Sequence, residues 1–456
     1  MQHPLVIIGA GPTGLAAAAH AHDRGLSTVV LEAGPAAGTS VQDWGHVRLF
    51  SPWSELVDPV AEKLLANHGW VGPDNTAYPT GADWVADYLA PLAEALAATE
   101  RVTVAFGHQV TGVARRGRDV LVDAGRDTEP FVVHVETPDG PQRLVASAVI
   151  DASGTWTGPN PLGADGYPAL GEREHADRIV RGMPDLSDPG VQARYAGKHV
   201  AVAGTGASAQ NVLVALARLA EQEPGTRVSW LVRRPGATFG GGDNDQLVER
   251  GALGRRAQQV AESEVVRTLT SFRTVAVADD GAGRLRLEAE DGQVAEGIDE
   301  VVVVTGFRPD LSILSEVRLD LDPVLQAPRE LAPLIDPNVH SCGTVYPHGA
   351  SELAQPEAGF YLAGMKSYGR APSFLTLTGY EQTRSIVAAI AGDHEAAARV
   401  ELVLPESGVC GGAGRFDQPT SADAEAGADV ATGSAGGCCG PTSGPQVVEL
   451  GRVPVA

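Results

Sequence analysis

Gly9, Gly11 and Gly14 stand between an apolar run, Leu5 to Ile8, and a small-residue stretch, Ala16 to His20. In that setting the first glycine permits a tight turn, and the second lets a phosphate approach the backbone. The third lets a helix pack close to the strand. With Ala10, Pro12 and Thr13 they form a turn whose helix amides face an anion. A second apolar strand, Ser27 to Leu31, ends at Glu32, where a carboxylate accepts a ribose hydroxyl. Strand, glycine turn, helix and acid at this spacing make a dinucleotide site.

The pattern occurs twice. Val200 to Ala203 reads as a strand, followed by Gly204, Gly206, Ser208 and Ala209 and a helix to Glu221. Ala209 replaces the third glycine, as the fingerprint tolerates. The next strand, Val228 to Val232, ends in Arg233 and Arg234 instead of an acid. An arginine there pairs bidentately with a 2′-phosphate and favours NADPH over NADH. Two solvated arginines in a turn are the alternative.

Few other residues suggest chemistry. His175 draws attention only through a family resemblance given below, which implies a residue that orients a nicotinamide or assists proton transfer; a hydrogen-bonded structural histidine is the alternative. The four cysteines are Cys342, Cys410 and the adjacent pair Cys438 and Cys439, and none form Cys-x-x-Cys. Adjacent cysteines make a strained disulfide, whereas soft thiolates suit thiophilic ions. Cys410, Cys438 and Cys439 are therefore candidates for capture of a soft substrate.

The elements that must hold these residues follow from periodicity. Asp83 to Thr99 repeats apolar residues at helical spacing, and Val102 to Phe106, Val110 to Arg115, Phe131 to Glu136 and Ala146 to Ile150 alternate as strands. The loop Ala33 to Ser54, rich in glycine and aromatics, packs on the surface or covers a cofactor. Pro159 and Pro161 mark a boundary. Val301 to Val304 and Gly359 to Gly364 are later strand-to-glycine turns, with a helix at about Gly379 to Ala391. The expected fold is α/β, with two Rossmann-like dinucleotide-binding domains, the first interrupted by the second. The bounds are 1–162, 163–330, 331–403 for the completing part of the first domain, and a Gly/Ala-rich tail, 404–456. The tail cannot bury enough apolar surface to order itself.

The 456 residues, 43% hydrophobic and 20% charged, fit a globular enzyme of two or three domains. A formal net charge of −23 argues against nucleic acid and anionic membrane surfaces as partners. The chain enters its first strand within a few residues and has no apolar run of membrane-spanning length, so a cytoplasmic protein is expected. The expected partner is a small-molecule substrate, with a homodimer as an allowed assembly.

Two nucleotide folds with paired strand endings, Ser153-Gly154 and Thr305-Gly306, resemble the two-dinucleotide flavoprotein oxidoreductases. Within that group the chain is similar to the flavin-containing monooxygenases through Gly204-x-Gly206-x-Ser208-Ala209. Their Phe-x-Gly-x-x-x-His signature appears as Ala169 to His175, keeping Gly171 and His175 without the aromatics. A closer resemblance, to flavin-dependent oxidoreductases encoded with arsenic-resistance genes, rests on Trp44 to Trp53 and on Gly364 to Pro372, with a cysteine-bearing tail. The resemblance implies FAD at the first fingerprint and NADPH at the second. It implies hydride transfer to the flavin, then oxygenation of a soft nucleophile such as sulfur, nitrogen or trivalent arsenic. Many flavoproteins place Gly-x-Asp where Gly364-Met365-Lys366 stands, so Lys366 either contacts a phosphate or the cofactor is held differently. A thiol/disulfide reductase using the tail cysteines and a flavoprotein sensor or metalloid-binding module are the rival readings.

Overall fold

The computed structural model describes residues 3–239, 247–338, 347–372 and 374–402. All four cysteines and the tail expected to be disordered lie outside the described residues.

Two parallel sheets organise the chain, and each is built by the same sequence of events. In the first, β1 (Leu5–Ile8), β2 (Thr28–Glu32) and β3 (Val102–Phe106) are followed by an antiparallel excursion: β4 (Gln109–Arg115), β5 (Phe131–Thr137) and β6 (Gly140–Ala146). The chain then returns as β7 (Ala148–Asp151). The second sheet begins with β8 (Ile179–Arg181). It continues through β9 (His199–Ala203), β10 (Arg227–Leu231) and β11 (Val266–Leu269). A second antiparallel excursion follows, β12 (Thr274–Asp279), β13 (Leu285–Ala289) and β14 (Val294–Ile298), before β15 (Glu300–Val303). The chain finally recrosses to add β16 (Phe360–Leu362) to the first sheet. Strand orders are β16-β7-β1-β2-β3 and β11-β10-β9-β15-β8. In both sheets the order reverses beside the fingerprint strand, β1 or β9, which is where an open α/β sheet binds its ligand.

The strands form because they are apolar on both faces, as parallel strands covered by helices must be. In β1, Leu5 and Ile7 join one hydrophobic cluster and Val6 and Ile8 another. In the second sheet Val200 and Val202 face away from Ala201 and Ala203 in the same manner. Leu314 and Val317, past the return crossing, pack in the cluster that includes Phe131 and Val133 of the first antiparallel sheet.

Three elements differ from the sequence reading, each for a local reason. The alternating run Ala146 to Ile150 is divided at Ser147, whose amide donates to the Pro4 carbonyl at 2.9 Å, so its halves join different sheets. The helix expected from Asp83 begins at Gly81, because Thr80 and Asp83 form a reciprocal cap: Asp83 N donates to Thr80 Oγ1 and Thr80 N to Asp83 Oδ2. Its middle, Val85–Leu89, is one π-helical turn. The last long helix runs Thr376–Ile390, so Gly379 lies inside it. A Cβ on Gly379 would stand 2.8 Å from the Phe374 ring, which makes it a packing glycine and not a helix start.

A buried ion cluster ties the return segment to the first domain. Glu357 accepts from Arg115 Nε at 2.8 Å, from Arg126 Nε, and from the Arg318 amide at 3.3 Å. Arg115 also lies over the Phe131 ring, 3.8 Å from its centroid. Burial acts to raise the Glu357 pKa, but the hydrogen bonds from Arg115 and Arg126 outweigh it and hold it below the usual 4.5. A depressed pKa stabilises the fold above the unfolded value, and that contribution is lost as pH falls through the folded value. Glu357→Gln leaves two buried guanidinium groups without their carboxylate and should cost about 3–5 kcal/mol at pH 7. Urea unfolding is the measurement, and the gap between wild type and variant must shrink as pH drops below the glutamate range.

Candidate functional site

At the first fingerprint the three glycines do separable jobs. Gly9 turns the chain at φ +99°, its amide donating to Leu31 O at 2.7 Å. A Cβ on Gly14 would stand 1.9 Å from Gly9 O, so the helix Pro12–Asp23 reaches the strand only because Gly14 has no side chain. Gly11 differs: its φ of −83° is ordinary and a Cβ there would meet no protein atom within 4 Å. The open space above Gly11 therefore fits a ligand's approach rather than a demand of folding. The helix starts with no side-chain cap and no acid in its first turn, leaving its amides and dipole for an anion. Glu32, at the end of β2, holds the turn: Oε2 accepts from Ala10 N at 2.7 Å and Oε1 from Gly34 N at 2.8 Å. Each oxygen keeps a lone pair for a ribose hydroxyl.

The second fingerprint repeats this arrangement. Gly204 turns at φ +130°, where a Cβ would stand 2.3 Å from Val304 O, while Gly206 faces open space. Ala209 is fully buried, its methyl group accommodated where a third glycine would sit. Ser208 lies in the first turn of the helix Ala207–Gln222, which again has no acid there and no side-chain cap. The buried Trp230 indole donates to Gly204 O at 2.7 Å and fixes the turn. Arg233 and Arg234 follow β10 by two and three positions; Arg233 is exposed and Arg234 half-buried, its carbonyl accepting from Ser271 N at 2.7 Å.

Lys366 is not a free cation. Its Nζ stands 2.6 Å from Asp151 Oδ2, at the end of β7, and 2.9 Å from Ser153 Oγ. Ser153 in turn donates from Oγ (2.6 Å) and from its amide (3.1 Å) to Asp151 Oδ1. The ammonium is thus committed within the protein, so of the two alternatives raised by the sequence the geometry favours a cofactor held by other groups. Gly364 contributes by closeness: a Cβ on it would stand 2.6 Å from Thr13 Oγ1. A glutamine completes the turn, Gln382 Oε1 accepting from Gly364 N at 2.7 Å.

Two crossing segments join the sheets and run side by side, with a bridge between Pro159 and Phe307. Asn160 N donates to Gly306 O (2.9 Å) and Arg308 N to Gly158 O (2.8 Å). Trp156 and Phe307 stack at 4.9 Å, and the Trp156 indole donates to Asp43 Oδ2 at 2.8 Å. They line a cavity of about 280 Å³ with Pro159, Arg181, Gly182 and Met183, at the carboxyl ends of the strands. A second cavity, about 470 Å³, lies at the opposite strand ends around Ser147, Ala148 and Gly359, away from both fingerprints. Asp43 brings the aromatic loop after β2 to this crossing; Trp53 of that loop is core.

His175 is half-buried on the turn before β8. Among the described residues its ring makes no hydrogen bond. The contacts that hold that segment are made by Glu172, which is fully buried and accepts from Leu162 N, Ala169 N (2.8 Å) and Arg181 Nη2 (2.6 Å). Sequence reasoning passed over Glu172, because Arg173, Glu174 and His175 beside it make the segment read as an ordinary polar turn.

Gly11→Val should fold normally and lose FAD, because its side chain enters the ligand's space and none of the protein's. Gly14→Ala should instead fail to fold, having Gly9 O to displace; flavin absorbance and thermal unfolding of both variants are the check. Asp151→Asn or Lys366→Met should each cost about 3–5 kcal/mol, since either leaves a charge or its partner buried alone. Asp151→Leu combined with Lys366→Met should recover much of that loss in a double-mutant cycle read by chemical denaturation.

Several solved structures share this fold. The bacillithiol disulfide reductase Bdr from Bacillus cereus aligns over 86% of this chain and 99% of its own, with TM-score 0.61 and 18% identity. A flavin-containing monooxygenase from Stenotrophomonas maltophilia aligns over 87% and 99%, with TM-score 0.53 and 24% identity. The FAD-bound cadaverine monooxygenase DfoA from Erwinia amylovora aligns over 89% and 100%, with TM-score 0.60 and 14% identity. A comparison with curated proteins finds no match. Residues 6–341 match the pyridine nucleotide-disulphide oxidoreductase family. The chain belongs to that family, and it is a flavoprotein oxidoreductase that uses FAD and a nicotinamide dinucleotide.

Proposed function

We propose that this oxidoreductase takes its hydride from NADPH and oxygenates a soft nucleophile, with a trivalent arsenical as the leading substrate. The observation that carries the oxygenase reading is the placement of cysteine. Relay of electrons to a disulfide requires a thiol pair beside the flavin, and the chain has no Cys-x-x-Cys. Its crossing segments instead present Trp156 and Phe307 around a small cavity. The monooxygenases among the similar structures agree with this reading.

FAD, bound at the first fingerprint, supplies hydride acceptance and oxygen activation. The chain's own residues bind and orient. The turn at Gly9 and the amides of Gly11, Thr13 and Gly14 would receive the pyrophosphate, and Glu32, which already holds the Ala10 amide, would receive the ribose. Gly204, Gly206 and Ser208 do the same for NADPH, with Arg233 and Arg234 toward its 2′-phosphate. Trp156 and Phe307 limit water at the crossing, where both strand ends converge. The balance is NADPH, a proton, oxygen and substrate on one side, and NADP⁺, water and oxygenated substrate on the other. Cys410, Cys438 and Cys439 capture the thiophilic substrate for delivery.

A thiol/disulfide reductase using those tail cysteines is the second reading, favoured by the likeness to bacillithiol disulfide reductases. One experiment separates them: NADPH oxidation by the FAD-loaded enzyme with arsenicals, thiols, amines or disulfides, in air and without oxygen. The oxygenase consumes one oxygen per NADPH and per product, whereas NADPH-dependent disulfide reduction without oxygen would establish the reductase. Arg233→Ala with Arg234→Ala should lower the NADPH preference about tenfold to a hundredfold in kcat/KM. Truncation after Val403 should weaken turnover at low arsenical concentration while FAD content and flavin reduction stay intact.

A further inference from the structure

A closed set of buried hydrogen bonds stands behind the turn that follows β16, and one backbone amide fixes the direction of them all. Gly364 N can only donate, and it donates to Gln382 Oε1 at 2.7 Å. Gln382 Nε2 therefore faces the other way, where its hydrogens go to Ser367 Oγ at 2.9 Å and to His348 Nε2 at 2.8 Å. Ser367 closes the set by donating from Oγ to Gly364 O at 2.7 Å. His348, Ser367 and Gln382 are at most 2% exposed. Because Gln382 Nε2 has nothing to accept with, His348 Nε2 must be the acceptor. Its imidazole is neutral, with the proton on Nδ1.

What this set holds is a contact with the first nucleotide site. Gly364 keeps its turn at φ +67°, and a Cβ on it would stand 2.6 Å from Thr13 Oγ1. Gly379, on the same helix as Gln382, would bring a Cβ to 3.1 Å from that same oxygen. Thr13 lies in the first turn of the helix Pro12–Asp23, whose amides are open to an anion. Gln382 thus acts through Gly364 on Thr13, one step behind the cradle.

A proton taken up by His348 reverses the arrangement. Nε2 becomes a donor and faces Gln382 Nε2, another donor, at hydrogen-bond distance. Gln382 relieves the clash by turning its amide over, which gives Oε1 to His348 and leaves the buried Gly364 N without an acceptor. The other charges nearby are already engaged. Glu352, within electrostatic reach of His348, has its oxygens on Gly349 N and Ser351 Oγ. The Tyr368 ring packs 5.6 Å away, and burial keeps its phenol protonated. Lys366 pairs with Asp151, and Glu381 with Arg384. We infer that Gln382 is a positioning residue for FAD and that His348 is its proton-sensitive control. Neutral His348 keeps the Gly364 turn against Thr13; protonated His348 releases it. The inference rests on FAD occupying the first fingerprint.

The test follows FAD release from the full-length holoenzyme by flavin fluorescence on dilution, between pH 8 and pH 5.5, with circular dichroism at each point. Wild-type affinity should fall about tenfold on acidification, with a midpoint at about pH 6.5. His348→Gln, whose amide oxygen accepts from Gln382 but cannot titrate, should keep its pH 8 affinity throughout. Gln382→Glu keeps an acceptor for Gly364 N and offers a carboxylate to protonated His348, so the acid loss should vanish there too. Gln382→Leu should bind FAD about tenfold more weakly at pH 8, with a flat profile. Should the leucine variant not fold, His348→Gln still decides the matter. A pH-independent wild type, a wild-type profile in His348→Gln, or wild-type affinity in Gln382→Leu overturns the inference. So does loss of native circular dichroism together with the flavin, since acid unfolding would explain both. Those outcomes leave the flavin's placement standing, whereas retention of full FAD by Gly11→Val overturns the placement and this inference with it.

Discussion

The buried ion pair between Asp151 and Lys366 is the constraint on which the first nucleotide site depends. It joins the end of β7, an inner strand, to the turn after β16, the last strand added to the sheet. Both side chains are almost wholly buried, so hydration of neither charge is available and each is tolerable only through the other. Ser153 completes the arrangement by accepting from the lysine and donating to the aspartate. The result is a rigid backbone around Ala152, whose carbonyl lies 2.9 Å from where a Cβ on Gly9 would stand. The fingerprint turn is therefore shaped from two sides, by its own glycines and by a charge pair that joins β7 to the turn after β16.

The same architecture appears twice, and the repetition explains why the crossings matter. From its fingerprint strand each unit makes three parallel strands, β1 to β3 or β9 to β11, leaves for a three-stranded antiparallel sheet and returns beside the fingerprint strand as β7 or β15, with β8 laid down ahead of the second set. Each return strand ends in a small-residue segment that becomes a crossing, Asp151 to Pro161 in one case and Val304 to Pro309 in the other. Because the crossings pair with each other, the carboxyl ends of both sheets are brought to the same region. Glu172 secures one side of that junction, binding the amides of Leu162 and Ala169 together with Arg181. Two sites built independently thus share one junction, as hydride transfer between two dinucleotides requires.

The legible parts of the sequence were those whose causes are local. Glycine spacing, the strand before it and the helix after it lie within one short stretch, and the structure gives each glycine its own job. Glu32 was readable because the length of a helix and one strand fixes where the acid falls. Lys366 was noticed only as a departure from a pattern. Its partner Ser153 is 213 residues away, and Asp151 looked like an ordinary strand ending. A lysine beside an apolar strand and an aspartate ending another could have been matched, since a buried charge demands an opposite one. His175 drew attention through a motif, whereas Glu172 within the same motif makes the contacts.

The acidity of the chain bears on how it binds polyanionic cofactors at all. At −23 its distant field repels a dinucleotide, but charges beyond about 8 Å are largely screened at physiological ionic strength. Attraction must come from groups in contact, and the two cradles meet that need with backbone. Neither fingerprint helix carries an acid in its first turn, and neither spends its first amides on a side-chain cap. Glu32, the acid nearest the first cradle, has both oxygens turned to amides and sits at the ribose end of the site. Negative charge is kept where hydroxyls are to be received and removed where phosphates are, so short-range dipoles outweigh the overall charge.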